Sequence, residues 1–127
     1  IGLACYLLGI RDESQVASNP LRGNLFENLV INEINKLYLN KGEETNLYFY
    51  RDSNQLEVDL MFQCGAKLII IEIKSANTFN KNFLIGLKKL KNLITTQVDG
   101  YLIYSGAHEQ RINDFEVLNY QNIIHCF

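Results

Sequence analysis

Between residues 22 and 40, apolar side chains return every three or four positions. Phe26, Val30, Ile34 and Leu37 form the stripe and Leu29 and Ile31 flank it, which predicts an amphipathic helix. Asn19 or Ser18 is placed to cap its start, and Gly42 sits just past its end. The period then changes. Residues 46–51 (NLYFYR) are aromatic-rich, 56–62 (LEVDLMF) alternate, and 68–74 (LIIIEIK) are almost continuously apolar before the charges begin; each predicts a strand. Asp52-Ser53-Asn54-Gln55 reads as the turn between the first two. Cys64-Gly65-Ala66-Lys67 reads as a tight turn between the second and third, with Gly65 at the first central position of a type II′ hairpin. A second helix is expected over 80–94, carried by Phe83, Leu84, Leu87, Leu90, Leu93 and Ile94, and a fourth strand over 100–105. The tail, 112–127, predicts one or two short strands at a sheet edge. Residues 1–10 (IGLACYLLGI) are apolar and read as a helical turn or docking segment, and residues 11–21, with the single proline, as a loop. Helix, three strands, helix, strand is an α/β order, a mixed sheet flanked by helices. Residues 1–21 read as a segment and loop left from an upstream region, and 22–127 as one domain.

A strand with no polar alternation is covered on both faces, so Glu72 and Lys74, at the end of the Leu68–Ile71 run, must be paired or functional. They lie two apart and share a face, while Ile69, Ile71 and Ile73 line the other. If Gly65 and Ala66 are the central turn residues, Asp59 falls opposite Glu72 and Glu57 opposite Lys74. Directly opposed Cβ atoms are about 4.5–5.5 Å apart. Two carboxylates that close repel unless a cation lies between them or one holds a proton. Magnesium typically takes one or two carboxylates plus water and substrate phosphate. Asp59, Glu72 and Lys74 on one face therefore describe a metal-dependent phosphodiester-cleaving site, with Lys74 orienting water or stabilising developing charge. The same pattern also describes a structural ion-pair cluster, Glu57 with Lys74 and Asp59 with an arginine. The pattern alone leaves both open.

Val58-Asp59, followed thirteen residues on by Glu72-Ile73-Lys74, resembles the D…(D/E)-x-K signature of the PD-(D/E)xK nuclease superfamily. That resemblance implies a restriction-endonuclease-like αβββαβ core, Mg²⁺ or Mn²⁺ held by Glu27, Asp59 and Glu72, Lys74 as the assisting cation, and DNA as substrate. On the first helix, Glu27 and Glu33 flank the apolar stripe by about 60° on either side; periodicity does not choose between them, and the superfamily pattern favours Glu27. A wider ordered set also stands out: Gly2-Leu3-x-x-Tyr6-Leu7-Leu8-Gly9, Gly23-x-Leu25-Phe26-Glu27-Asn28, Tyr48-Phe49-Tyr50-Arg51, Glu57-Val58-Asp59, Glu72-Ile73-Lys74 and Leu102-Ile103-Tyr104-Ser105-Gly106. It resembles a nuclease-like domain of unknown function that lies C-terminal to the ATPase core in a prokaryotic family of AAA-type ATPases. This implies an ATPase domain upstream in the same gene. The chain has no G-x-x-x-x-G-K-[ST], so ATP would enter only through that upstream part.

Composition narrows the functional classes. The 127 residues are 47% hydrophobic and 20% charged, the mixture of a globular domain, and no apolar run is long enough to span a membrane. Net charge is −2, so contact with DNA must come from a local basic patch or a bound metal. Arg51, Lys81 and Lys88 are the nucleic-acid candidates, with Lys89 and Lys91 extending the basic second helix. Tyr48 and Tyr50 fall on the Glu57/Asp59 face, placed to stack a base, if the Asp52–Gln55 turn has two residues. Gln97-x-x-x-Tyr101 spells a motif of one nuclease branch but straddles a helix end and a strand, and reads as chance. His108 and His125 suit packing or solvent. Cys5, Cys64 and Cys126 are widely spaced and read as free thiols of a reducing, cytoplasmic compartment. Two other classes stay in play: a catalytically silent accessory module that binds nucleic acid, a partner protein or another subunit for the ATPase, and a structural domain that oligomerises through the apolar segment 1–10.

Overall fold

The computed structural model describes residues 2–44 and 46–127; the predicted N-terminal segment therefore begins one residue inside its sequence range, Ile1 lying outside the described residues. Helices α1 (Gly2–Leu7) and α2 (Glu13–Ser18) precede the long helix α3 (Arg22–Asn40). Helix α2 corrects the expectation of a loop over 11–21. The Asp12 carboxylate caps it by accepting the Gln15 amide at 3.1 Å, and a helix this short holds no repeat for periodicity to detect. Helix α3 buries Leu25, Val30, Ile34 and Tyr38. It ends as Gly42 predicts: Gly42, at φ 74°, donates to the Leu39 carbonyl, and Glu43 donates to Tyr38, both at 3.0 Å. Its start differs. Leu21 is the N-cap and has no side-chain bond, and the Asn19 side chain accepts the Leu21 amide outside the helix.

Six strands form one mixed sheet in the order β1-β2-β3-β4-β6-β5: β1 (Tyr48–Arg51), β2 (Glu57–Cys64), β3 (Lys67–Lys74), β4 (Val98–Tyr104), β5 (Gln110–Ile112) and β6 (Phe115–Asn119). β4 runs parallel to both β3 and β6, and the remaining pairs are antiparallel. The core order α3-β1-β2-β3-α4-β4, with α4 spanning Ile85–Leu93, is the expected αβββαβ. Strand β3 is apolar from Leu68 to Ile71 and again at Ile73 because it is central and covered on both faces. Ile69, Ile71 and Ile73 pack beneath α3, and Ile70 packs beneath α4 with Leu87 and Leu90. The second helix is shorter than predicted. Lys81–Leu84 is a 3₁₀ turn, and Leu93 is exposed. The tail is also corrected: β5 holds the edge, while β6 is interior and its Val117 is fully buried.

The β2–β3 hairpin has the expected register, from Cys64 opposite Lys67 to Leu60 opposite Ile71, with Gly65 at φ 61°. The β1–β2 turn does not. Asp52 accepts the amides of Asn54 and Leu56 through its side chain, at 2.9 and 3.0 Å, and Gln55 adopts φ 62°. The loop is therefore three residues, Ser53 to Gln55, and the ladder slips by one. Tyr50 opposes Val58 and packs into the core under α4, while Tyr48 opposes Met61 and is exposed. The predicted Tyr48/Tyr50 face beside Glu57 and Asp59 is thus corrected. Between these two pairings β2 advances three residues for two on β1, which is a bulge spanning Asp59 and Leu60. In consequence Val58 and Leu60, two apart, join opposite cores: Val58 the α4 side, Leu60 the α3 side. No helix among the described residues is long and apolar enough to cross a membrane.

Candidate functional site

The bulge places Asp59 where β2 and β3 part. Its Oδ2 accepts the Ile73 amide at 2.8 Å, just past the last backbone pairing at Leu60 and Ile71. That bond brings the carboxyl close to Glu72, whose own carboxyl feels the Asp59 charge. Glu72 reaches the same point from the α4 face of β3, whereas the bulge leaves Asp59 on the α3 side with Glu27. The expectation that Asp59 and Glu72 oppose each other on one face is thus corrected, and the two meet where the strands part. Its side chain is only 10% exposed; Oε1 accepts Lys74 Nζ at 2.8 Å, and Oε2 is buried and accepts from no donor. Helix α4 closes over it through Gly86. A Cβ there would lie 2.8 Å from the Glu57 carbonyl and 3.7 Å from Glu72 Oε2, so only glycine allows this approach.

Negative charge is in excess here. Burial pushes the Glu72 carboxyl up to about 7, with the Asp59 charge adding and Lys74 opposing. Burial also raises Asp59, against the Ile73 amide and Lys74, which favour its ionised form. Glu27, half-buried on α3, is raised by burial and then by the charge of Asp59. For Lys74, burial works against the charged ammonium, but the bond to Glu72 and the charges of Glu72, Asp59 and Glu27 outweigh it and its pKa rises. At neutral pH the Glu72–Lys74 ion pair is complete only in the fraction of molecules where Glu72 has lost its proton.

Two cavities open on these groups, one on each side of Glu57. One of about 260 Å³ is lined by Glu57, Glu72, Lys74, Asn82, Gly86 and Lys89. The other, about 140 Å³, is lined by Glu27, Phe49, Arg51, Glu57 and Asp59 among others. The ion pairs differ from the structural cluster read from the sequence. Glu57 pairs with Arg51 at 2.7 Å, not with Lys74. Among the described residues no three His, Cys, Asp or Glu side chains close into a metal cage. Asp59 and Glu72 are the carboxyls in contact, a donor pair that suits a hard divalent cation completed by water. Glu27 meets them from the α3 side through its charge.

The remaining candidates separate clearly. Glu33 is half-exposed and pairs with Lys36 at 2.8 Å. Lys81 and Lys88 are exposed and line neither cavity; Lys89 lines the larger one. Lys81 lies in the 3₁₀ turn over 81–84 and Lys88 in α4, so the two do not share one continuous helical face. Lys91 pairs with Asp114 and lies over the Phe115 ring. Gln97 accepts the Leu68 amide through its carbonyl, and Tyr101 packs on Phe127 from β4, so the two form no helical motif. His108 serves through its carbonyl, which accepts the Tyr104 hydroxyl. The three cysteines are free. Sequence reasoning passed over Gly86, and took Lys89 only as part of a basic helix and Phe49 only as part of an aromatic strand. Gly86 and Lys89, three apart on one helix, were the available signal for the first two; Phe49 emerges only once the β1 register is known.

No curated protein shows significant sequence similarity to the chain. A family model does match, over residues 22–123, from the first turn of α3 to the closing 3₁₀ turn after β6, and its span includes Glu27, Asp59, Glu72 and Lys74. By that match the chain belongs to the family described as Domain of unknown function (DUF4143).

Proposed function

We propose that the acidic strand end is a metal-assisted site for hydrolysis of phosphodiesters, the DNA-cleaving activity that the PD-(D/E)xK resemblance implies. The observation that carries it is the buried, unpartnered Oε2 of Glu72, held beside Asp59 and Lys74 at the mouth of a cavity. A structural ion-pair cluster would satisfy that atom. A site built for a cation leaves it waiting. Asp59 and Glu72 would hold Mg²⁺ or Mn²⁺, with Glu27 completing the charge from α3. Such an ion, when bound, supplies a polarised phosphate and a more acidic water. The chain's own residues do the rest. The Ile73 amide fixes the Asp59 carboxylate, and Gly86 lets α4 exclude water from the inner side of Glu72. Lys74, held at the site by Glu72 at 2.8 Å, would place its ammonium near the phosphate oxygen on which charge develops.

One observation favours a second reading. No three-carboxylate cage forms among the described residues, which suits a catalytically silent accessory module that binds nucleic acid, a partner protein or another subunit. In either case the expected context is an ATPase core in the same polypeptide. The deciding experiment pairs Mn²⁺ calorimetry with plasmid cleavage for wild type, Asp59→Asn, Glu72→Gln and Lys74→Ala. The hydrolytic reading expects metal binding lost in the first two variants, and cleavage reduced by about 10²-fold or more in all three. Metal binding with no cleavage by wild type assigns the accessory role. Residual cleavage equal in all four proteins overturns hydrolysis at this site.

A further inference from the structure

Phe49 stands alone. It is 76% exposed on β1 and, among the described residues, belongs to neither apolar core and packs on no other ring, yet it lines the cavity that holds Glu27 and Asp59. Its neighbour Tyr50 turns into the core, so Phe49 and Arg51 share the α3 side of the sheet. Across Glu57, Lys89 lines the second cavity and makes no ion pair among the described residues. The acidic groups thus lie between a bare aromatic ring and an uncommitted ammonium.

We propose that this site takes single-stranded nucleic acid, with Phe49 stacking on an unpaired base and Lys89 meeting a backbone phosphate beyond the carboxyls. The inference rests on the reading of the acidic strand end as a phosphodiester site, and it names the substrate class. The electrostatics favour it over a duplex. With a net charge of −2 and four carboxyls, Glu27, Glu57, Asp59 and Glu72, lining the two cavities, the chain gains little from releasing counterions off a duplex. A strand whose bases are free offers π-faces instead, and stacking on an aromatic ring supplies affinity without a broad basic surface. A base inside a duplex is already stacked on both sides and presents no face to a ring standing off a sheet edge.

The test measures binding apart from cleavage. Fluorescence anisotropy with a labelled oligonucleotide of about 16 nucleotides, in Ca²⁺, compares the single strand with the same sequence as a duplex. Wild type is expected to bind the single strand at least about tenfold more tightly. Phe49→Ala is expected to weaken that binding about tenfold and Phe49→Trp to restore it, since the exposed position carries no packing. Lys89→Ala is expected to weaken binding and to lower the salt slope by about one phosphate contact. Equal or tighter binding of duplex, or unchanged affinity in Phe49→Ala, overturns the proposal. So does a loss of self-association in Phe49→Ala by light scattering with affinity intact, which would assign the β1 edge to another protein strand. Single-strand binding through Phe49 with no cleavage in Mn²⁺ overturns hydrolysis alone. Duplex cleavage indifferent to Phe49→Ala overturns the single-strand assignment alone.

Discussion

The carboxylate of Asp59 accepts the backbone amide of Ile73 at 2.8 Å, and so a side chain of β2 continues the ladder where its backbone has turned away. The bulge at Asp59 and Leu60 and the approach of Asp59 to Glu72 are one event. The extra residue frees the Asp59 side chain to act as the acceptor, and the strand end opens without orphaning a buried amide.

That role predicts a difference between two substitutions. Asp59→Ala leaves the Ile73 amide without a partner in a buried setting and is expected to cost about 1–3 kcal/mol. Asp59→Asn keeps an acceptor and removes repulsion from Glu72, so its stability should stay near wild type. Urea denaturation of both variants checks this, and equal destabilisation would show that the amide does not depend on Asp59.

The raised carboxyl of Glu72 makes stability depend on pH. In the unfolded chain it ionises near 4.5 and in the fold near 7. Between those values the folded state holds a proton that the unfolded state has lost, so stability falls as pH rises across that window and levels off above it. Asp59 and Glu27, also raised, act in the same direction from the acid side. Denaturation midpoints measured across this range should decline with pH. The decline should shrink in Glu72→Gln, and an unchanged slope in that variant would assign the effect elsewhere.

Much of this was legible in the sequence because it depended on local chemistry. The Val30 and Ile34 stripe gave α3, and Gly42 gave its end. Gly65 gave the type II′ turn, and that turn alone fixed the β2–β3 register. What was hidden depended on a single residue out of phase. Gln55 in the left-handed region lengthens the β1–β2 loop, and the bulge then reverses the faces of Val58 and Leu60. Neither leaves a trace in hydrophobic alternation, so Tyr48 and Tyr50 were assigned to the acidic face when Phe49 occupies it. Periodicity left Glu27 and Glu33 as equivalent flanks of α3; the fold sets Glu27 beside Asp59 and leaves Glu33 with Lys36. Lys89 was obscured by the 3₁₀ turn.

Metal affinity should follow the same proton. A divalent ion at Asp59 and Glu72 must displace the proton that Glu72 keeps up to about 7, so Mn²⁺ binding should strengthen as pH rises through that value and flatten beyond it. Calorimetry in two buffers of different ionisation enthalpy should detect proton release below that point and little above it. Affinity independent of pH would place the ion away from Glu72.

Two glycines make the final comparison. Gly23 lies in the first turn of α3 with nothing near the position a Cβ would take, while Gly86 has the Glu57 carbonyl 2.8 Å from it. Helix propensity favours alanine over glycine at both, by about 0.5–1 kcal/mol. Gly23→Ala should therefore stabilise the fold by up to that amount. Gly86→Ala should reverse the sign, because α4 must lift from β2 against its own Leu87 and Leu90 anchors, at a cost of about 1–3 kcal/mol. The lift would also admit water to the Glu72 carboxyl and lower its raised pKa. Gly86→Ala should accordingly lose part of the decline in stability with pH that wild type shows, and Gly23→Ala should keep all of it. Thermal and urea denaturation of the two variants at acid and neutral pH measures both effects. A stabilised Gly86→Ala with the wild-type pH slope would show that the close approach of α4 is not what holds Glu72 in its buried state.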